Sequence, residues 1–188
     1  MEFNLRKALE TFQPADKRET DSLKKFKDLL ALQDKEDIFS RTRLAGHIVA
    51  GALVVDRNGN VLLNHHKALD KWLHFGGHSD GDENSLNVAK REVMEESGIT
   101  DYDDLGGKIV DIDVHTIPEN KKKNEPEHFH YDIRFVFVVD KKYFKISDES
   151  KEIVWMPISQ AKILVPPESM PRYLDKADKI VKDLNKTK

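Results

Sequence analysis

The sequence predicts an α+β fold in which helices cover a mixed β-sheet, preceded by a helical extension. Helical periodicity dominates roughly the first 45 residues, whereas strand-like and helical segments alternate irregularly from His47 onward. Irregular alternation favours a mixed sheet with helices packed on it. The length of 188 residues fits one domain with an appendage.

The composition narrows the classes of function. Charged residues make up 35% of the chain, but the formal net charge is only -3, which argues against a long nucleic acid or a membrane surface as partner. The absence of cysteine excludes disulfides, thiolate metal ligands and a thiol nucleophile. Residues 1–20 lack the apolar core of a signal peptide, and no run is long enough for a membrane span. We therefore expect a cytoplasmic protein.

Residues 1–45 are predicted to form the helical N-terminal extension. Two groups of apolar residues recur there at helical spacing, on either side of Pro14: Leu5, Leu9 and Phe12, then Leu23, Phe26 and Leu30. We interpret the extension as a packing appendage, with a dimer interface or a substrate lid as alternatives. Deletion of residues 1–40 is accordingly expected to leave the metal-binding site described below, provided that the remainder folds.

The second predicted unit, residues 46–188, contains the sheet. The segments HIVAGALVVD and VLLNHH flank an Asn-Gly turn, which is a hairpin signal. Three further segments have strand character: KIVDIDVHTI, HFHYDIRFVFVVD and KEIVWMPI. A short helix is predicted over SQAKIL, and a last helix opens at Pro171.

An acidic helix lies inside the stretch GGHSDGDENSLNVAKREVMEESGI, residues 76–99. Asn84 or Ser85 can cap its start and Gly98 its end. A helical wheel places Glu92, Glu95 and Glu96 on one arc about 100° wide, separate from the apolar side, which consists of Leu86, Ala89, Val93 and Met94. Like charges at this spacing repel each other, and no lysine lies within the arc. Clustered carboxylates suit Mg²⁺ or Mn²⁺, with a solvated acidic face as the alternative.

The wider spacing resembles the Nudix box. Gly77 is followed after five residues by Glu83, and after seven more by the run from Arg91 to Ile99, so that all nine specified positions match. Chance coincidence of seven fixed identities is expected about once in 10⁸ or 10⁹ positions. The resemblance implies the α/β/α sandwich of Nudix hydrolases, and the N-terminal helices lie outside the box.

The resemblance also implies roles for particular residues. Glu92, Glu95, Glu96 and the backbone carbonyl of Gly77 would hold Mg²⁺ or Mn²⁺, and Glu95 and Glu96 would be catalytic. Arg91 and Glu83 would brace the loop through an ion pair.

The turn departs from the common form of the family. Asp80 stands where Glu is usual, Asp82 where Gly is usual, and Phe75 where Pro often precedes. Asp82 in place of Gly affects the expected backbone geometry of the loop. It does not change the proposed metal ligands.

Residues outside the box are candidates for substrate binding and for the general base. On the strand from His128, alternation places His128, His130 and Arg134 on one face, where Arg134 would be available to phosphate. A solvated or hydrogen-bonded sheet face is the alternative, and a zinc site lacks an obvious spaced partner for these histidines. The general-base candidates all lie near strands, and they are Glu149, Glu152 and Glu127.

The predicted function is Mg²⁺- or Mn²⁺-dependent hydrolysis of the diphosphate bond in a nucleoside diphosphate linked to another group. The alternative is a nucleotide-binding module of the same fold without turnover, which would not need all three helix glutamates. A related isomerase branch relies on a catalytic cysteine, which this chain lacks. The sequence does not identify the leaving group of the reaction. It also does not determine the oligomeric state, for which a homodimer is one alternative.

Overall fold

The computed structural model describes residues 3–32, 37–121, 124–141 and 143–186. Its helices are α1 (Leu5–Thr11), α2 (Lys17–Ala31), α3 (Ser85–Ser97), α4 (Ile158–Leu164) and α5 (Met170–Lys186), with a short 3-10 helix at Leu105–Gly107. Its strands are β1 (His47–Asp56), β2 (Asn60–His66), β3 (Lys71–Leu73), β4 (Phe75–His78), β5 (Asp111–Ile117), β6 (His128–Val139) and β7 (Ser150–Pro157).

The strands form one mixed sheet, which confirms the predicted fold class. Its main order is β3-β2-β1-β6-β5, while β4 pairs with β1 and β7 pairs with β2. The pairing of β1 with β6 is parallel, and the other pairings are antiparallel. All ten residues of β1 are buried, as expected for a central strand with helices on both faces.

Helices cover both faces of the sheet and give it two hydrophobic cores. Alternate residues of β1 enter opposite cores, because successive side chains of a strand point to opposite faces. Ala50 and Ala52 belong to the core beneath α1, α2 and α3, whereas Leu53 and Val55 belong to the core beneath α4 and α5. The result is the expected helix–sheet–helix sandwich.

The N-terminal helices are part of the main core. Phe26 of α2 is completely buried and packs edge-on against Tyr131 of β6, with ring centroids 5.4 Å apart. Arg18 of α2 donates to Asp113 of β5 at 2.7 Å, and the buried Glu19 accepts from the backbone N–H of Ile112 at 3.3 Å. Removing α2 would therefore expose both apolar core and buried charge.

Within the described ranges, no helix has both the length and the apolar character needed to cross a membrane.

Candidate functional site

Helix α3 begins and ends as its sequence predicts. The Asn84 side chain accepts from the backbone N–H of Asn87, and Gly98 closes the helix in the left-handed conformation with φ of 71°. The buried apolar side includes Val88, Ala89 and Val93. Met94 differs from the prediction, because 46% of it is exposed.

The three glutamates of α3 differ in burial. Glu96 is buried, and its Oε2 accepts from Asn64 Nδ2 on β2 at 3.3 Å. Burial and the charge of Glu92 raise the pKa of Glu96 to about 8. Burial also raises the pKa of Glu92, whereas Glu95 is exposed. Two carboxylates thus turn toward the sheet and the third lies at the solvent edge, instead of all three sharing a solvent face.

Gly77 lets the β4 backbone approach Glu92 closely. A Cβ atom at Gly77 would lie only 2.5 Å from Glu92 Oε2. Strand β4 is held there by antiparallel pairing with β1, in which Gly77 lies opposite Ala50. The Glu92 side chain of α3 and the Gly77 backbone of β4 therefore lie together in one compact site.

These residues fit a hard divalent cation. Their donors are carboxylate oxygens, which Mg²⁺ and Mn²⁺ prefer. Burial raises the pKa values of Glu92 and Glu96, and the charge of Glu92 contributes to the raised pKa of Glu96. A divalent cation between them would compensate both effects.

Arg91 is placed differently from the expectation. Its Nη2 donates to the His78 carbonyl oxygen at 2.6 Å and pairs with Glu92 Oε1 at 2.9 Å. Glu83 is exposed and has no ion pair within the described part of the chain, so the expected Arg91–Glu83 pair is wrong. The physical reason is that a partly buried carboxylate gains more from a cation than an exposed one does.

Arg41, which precedes residues 77–99 in the chain, stabilises the turn that follows β4. Arg41 forms a two-pronged ion pair with Asp80, with Nε–Oδ1 at 2.6 Å and Nη2–Oδ2 at 2.7 Å. The Gly81 N–H donates to the Phe39 carbonyl at 3.1 Å. Asp82 accepts from the N–H of Asn84 at 2.8 Å and so supports the entry into α3. The sequence did not identify Arg41 as a site residue, because no feature around it indicates an ion pair with Asp80.

The general-base candidates separate in the structure. Glu149 is exposed just before β7, and its negative charge contributes to the raised pKa values of Glu92 and Glu96. Glu152 neighbours Ile153, which enters the core beneath α3, so alternation turns Glu152 to the opposite face. Of these two candidates, only Glu149 contributes its charge to the raised pKa values of the α3 glutamates. Glu127 is exposed and directly precedes β6.

Arg134 is not open to a phosphate, contrary to the expectation. It is 3% exposed, and its Nε donates to Asp132 Oδ2 at 2.8 Å. Its Nη1 donates to Asp111 Oδ1 at 3.2 Å and to Ser169 Oγ at 3.0 Å. Burial alone would lower the pKa of Arg134, but these carboxylates raise it above its usual value. A buried guanidinium needs such partners, and they occupy its donors.

His128 and His130 lie on the sheet face opposite α3. His130 is in register with His47 across the parallel β1–β6 pair, and their rings are 4.8 Å apart. His47 belongs to the face of Leu53, away from Ala50 and α3. The two predicted substrate histidines are thus brought together with His47 and His78, and not with the glutamates. Sequence reasoning missed this group because its strands are far apart in the chain.

Comparison with protein-family models gives a match over most of the chain. The NUDIX domain model matches residues 46–177. This range contains β1 to β7, α3, α4 and the first part of α5.

A curated relative matches part of the chain. It is "Probable DHNTP pyrophosphohydrolase" of Lactococcus lactis subsp. cremoris, 30% identical over 97 residues, which are 52% of this chain and 53% of the relative. The chain thus spans about half the length of that relative.

Solved structures show the same fold at low identity. The E. coli dihydroneopterin triphosphate pyrophosphohydrolase aligns with a TM-score of 0.56 and 14% identity, covering 74% of this chain and 97% of the other. The C. elegans Ap4A hydrolase binary complex aligns with a TM-score of 0.54 and 18% identity, covering 72% and 98%. The MutT protein of Methanosarcina mazei Go1 aligns with a TM-score of 0.55 and 23% identity, covering 73% and 96%.

Proposed function

The chain belongs to the NUDIX family, and on that premise we propose that it is a divalent-metal-dependent pyrophosphohydrolase. It would hydrolyse the diphosphate bond of a nucleoside diphosphate linked to another group. The observation that carries the proposal is the pair of desolvated carboxylates, Glu92 and Glu96, set against the Gly77 backbone.

The charge of the substrate explains why such a site is needed. A diphosphate carries concentrated negative charge, which repels an attacking water oxygen. When bound, Mg²⁺ or Mn²⁺ would neutralise that charge and would make water more acidic. Glu92, Glu95, Glu96 and the Gly77 carbonyl are the residues that would hold it. Electrostatic stabilisation and positioning of this kind account for most of the rate enhancement in phosphoryl-type transfer.

Glu149 is the proposed proton acceptor for the attacking water. It lies outside α3, is exposed to solvent, and is near enough to Glu92 and Glu96 for its charge to raise their pKa values. Such a carboxylate can take a proton without giving up a metal ligand.

Two matched variants test Glu149. Glu149→Gln removes the proton acceptor and should lower kcat about 10²–10⁴-fold, the usual contribution of general acid–base catalysis. Glu152→Gln changes the same residue type three positions away, on the opposite face, and should leave kcat unchanged. Equal effects of the two variants on kcat would show that Glu149 is not the proton acceptor.

A substrate panel distinguishes the enzyme from a non-catalytic nucleotide-binding module. Nucleoside triphosphates, dinucleoside polyphosphates, nucleotide sugars, coenzymes and capped RNA are incubated with the protein and Mg²⁺ or Mn²⁺, and products are separated by chromatography. Glu96→Gln serves as the matched inactive control. Turnover should require the metal and should stop in excess chelator. Tight binding of a panel member without any turnover would favour the binding module.

The curated relative adds one compound to the panel. Its name indicates action on DHNTP, so dihydroneopterin triphosphate is included as a candidate substrate. The proposed partner class remains small nucleotide-type diphosphates, in keeping with the net charge of -3. Residence in the cytoplasm remains a prediction.

A further inference from the structure

A cluster of three histidines lies apart from the carboxylate site. His47 at the start of β1 and His130 of β6 are in register across the parallel pair, and His128 precedes His130 by two positions on the same face. One ring nitrogen from each residue lies within 4.8 Å of the other two. His47 and His128 are buried and His130 is partly exposed.

In His47 and His128, the hydrogen bond made by Nδ1 determines which ring nitrogen carries the proton and which carries the lone pair. His128 Nδ1 lies 2.8 Å from the Pro126 carbonyl oxygen, and His47 Nδ1 lies 3.3 Å from the Arg43 carbonyl oxygen. A carbonyl oxygen can only accept, so each Nδ1 must carry the proton. Each Nε2 therefore presents a lone pair. A carbonyl-bonded Nδ1–H with a free Nε2 is the arrangement that metal-ligating histidines use.

Ring nitrogens of the three residues lie close together. His130 Nε2 is 3.3 Å from His128 Nε2 and donates to its lone pair, and within the described residues the buried His47 Nε2 has no hydrogen-bond partner. Zn–N bonds of about 2.0–2.1 Å in a tetrahedron place two ligand nitrogens about 3.3–3.4 Å apart. The pair on β6 thus already has the spacing of two zinc ligands, and His47 offers a ring nitrogen within 4.8 Å of both.

We propose that His47, His128 and His130 bind a transition-metal ion of the Zn²⁺ class, with a fourth position open on the side of His130. The ligand chemistry separates this site from the glutamate cluster, because imidazole suits Zn²⁺ and carboxylates suit Mg²⁺. The sheet separates the two sites physically, since the histidines and α3 lie on opposite faces. The proposal does not depend on the proposed hydrolase activity.

The local electrostatics agree with this geometry. Burial and the neighbouring His47 lower the pKa of His130 to about 2, and burial lowers the pKa of His47. Neutral imidazoles are the form that binds metals, so little proton release is needed at neutral pH.

Cobalt spectroscopy tests the site directly. Protein freed of metal is titrated with Co²⁺ in excess Mg²⁺, and tetrahedral coordination is read from intense visible absorption. We expect one equivalent of Co²⁺ at such a site. Loss of even an outer hydrogen-bond partner of a ligating histidine costs about 10–100-fold in affinity, so His130→Gln and His47→Gln should weaken binding at least about 100-fold.

Two controls locate the ion. His65→Gln alters a partly exposed histidine that pairs with Asp70 and is not in the cluster, and this variant should bind Co²⁺ as the parent does. The double variant E92Q/E96Q should also retain the tetrahedral spectrum. If it loses that spectrum while His130→Gln retains it, the ion is in the glutamate site and the proposal is overturned.

A measurement on the unaltered protein covers the case in which a histidine variant does not fold. X-ray absorption of the Zn²⁺-loaded protein should show three imidazole nitrogens at about 2.0 Å from the metal. An oxygen-only shell, or no retained Zn²⁺ after desalting, would overturn the proposal.

Discussion

At the scale of single residues, Glu96 should matter for turnover far more than for stability. Its carboxyl group is buried beside Glu92 and, with a pKa of about 8, is largely protonated at pH 7 without metal, so Glu96→Gln replaces a nearly neutral group and keeps an oxygen that can accept from Asn64. The melting temperature of the metal-free protein should stay equal or rise. Turnover with saturating metal should fall about 10²–10³-fold, as for comparable electrostatic losses.

Glu83→Gln is the matched control for that prediction. Glu83 is exposed and unpaired in the described structure, so its loss should change the free energy of unfolding by less than about 0.5 kcal/mol. This differs from the role that the family pattern implies, in which Glu83 braces the loop. Near-normal turnover of Glu96→Gln, or a metal-free melting temperature below that of Glu83→Gln, would contradict the assignment.

At the scale of secondary-structure elements, the contact between β4 and α3 gives a prediction on two glycines. The three atoms nearest to an added Cβ at Gly77 all belong to the flexible end of Glu92, so Gly77→Ala should cost less than about 1 kcal/mol of stability. The displaced carboxylate should nevertheless raise the Mg²⁺ concentration needed for half-maximal turnover. Metal titrations of turnover and thermal melts measure the two effects.

Gly51→Ala provides the contrast. Its Cβ would lie 2.8 Å from Gly76 Cα and closer still to the Phe75 carbonyl, so backbone must move. We expect a loss of about 1–3 kcal/mol in the free energy of unfolding, the usual cost of overpacking. Equal destabilisation by the two substitutions would show that the Glu92 carboxylate cannot move aside for a Cβ atom at Gly77.

Helix α2 should contribute to the stability of the whole sheet. Phe26 is fully buried in the core shared with β5 and β6, so Phe26→Ala should cost about 3–5 kcal/mol. Lys27→Ala, at the exposed neighbouring position, should cost little. Urea unfolding of both variants measures the difference. A small effect of Phe26→Ala would show that α2 contributes little to the stability of the sheet.

At the scale of the whole molecule, a buried ionic network links both ends of the chain to the sheet. Asp113 of β5 pairs with Arg18 of α2 and accepts from Ser169 Oγ just before α5, and Arg134 lies 3.7 Å away. Burial alone would raise the pKa of Asp113, but His115, Arg18 and Arg134 hold it well below its ordinary value. A group with a depressed folded-state pKa stabilises the fold above its unfolded pKa of about 3.9.

This network predicts a pH dependence. The contribution of Asp113 should be fully present at neutral pH and should be lost as the pH falls through about 4 and below. Asp113→Asn should be less stable by about 3 kcal/mol at pH 7, because Arg134 loses a buried partner, and the difference should shrink toward pH 3. Asp140→Asn, at an exposed acid, is the control. Denaturant titrations across this range measure it, and a pH-independent difference would contradict the assignment.

Regular local patterns allowed the fold and the metal-ligand candidates to be predicted. The hairpin signal between β1 and β2 and the caps of α3 are short-range features, and the structure reproduces them. The partners of Arg91 and Arg134 were not predictable, because they depend on which carboxylates tertiary packing buries nearby. The meeting of His47 with His128 was likewise hidden, since it requires the register of two distant strands.

The parallel pairing of β1 with β6 also has a consequence for synthesis on the ribosome. All ten residues of β1 are buried in the final fold, yet β6 emerges roughly 80 residues later. Until then, β1 can pair with its hairpin partner β2 but has one open edge and uncovered apolar side chains. Such an intermediate is prone to aggregate. The nascent chain therefore remains prone to aggregation until β6, the strand that carries His128 and His130, pairs with β1.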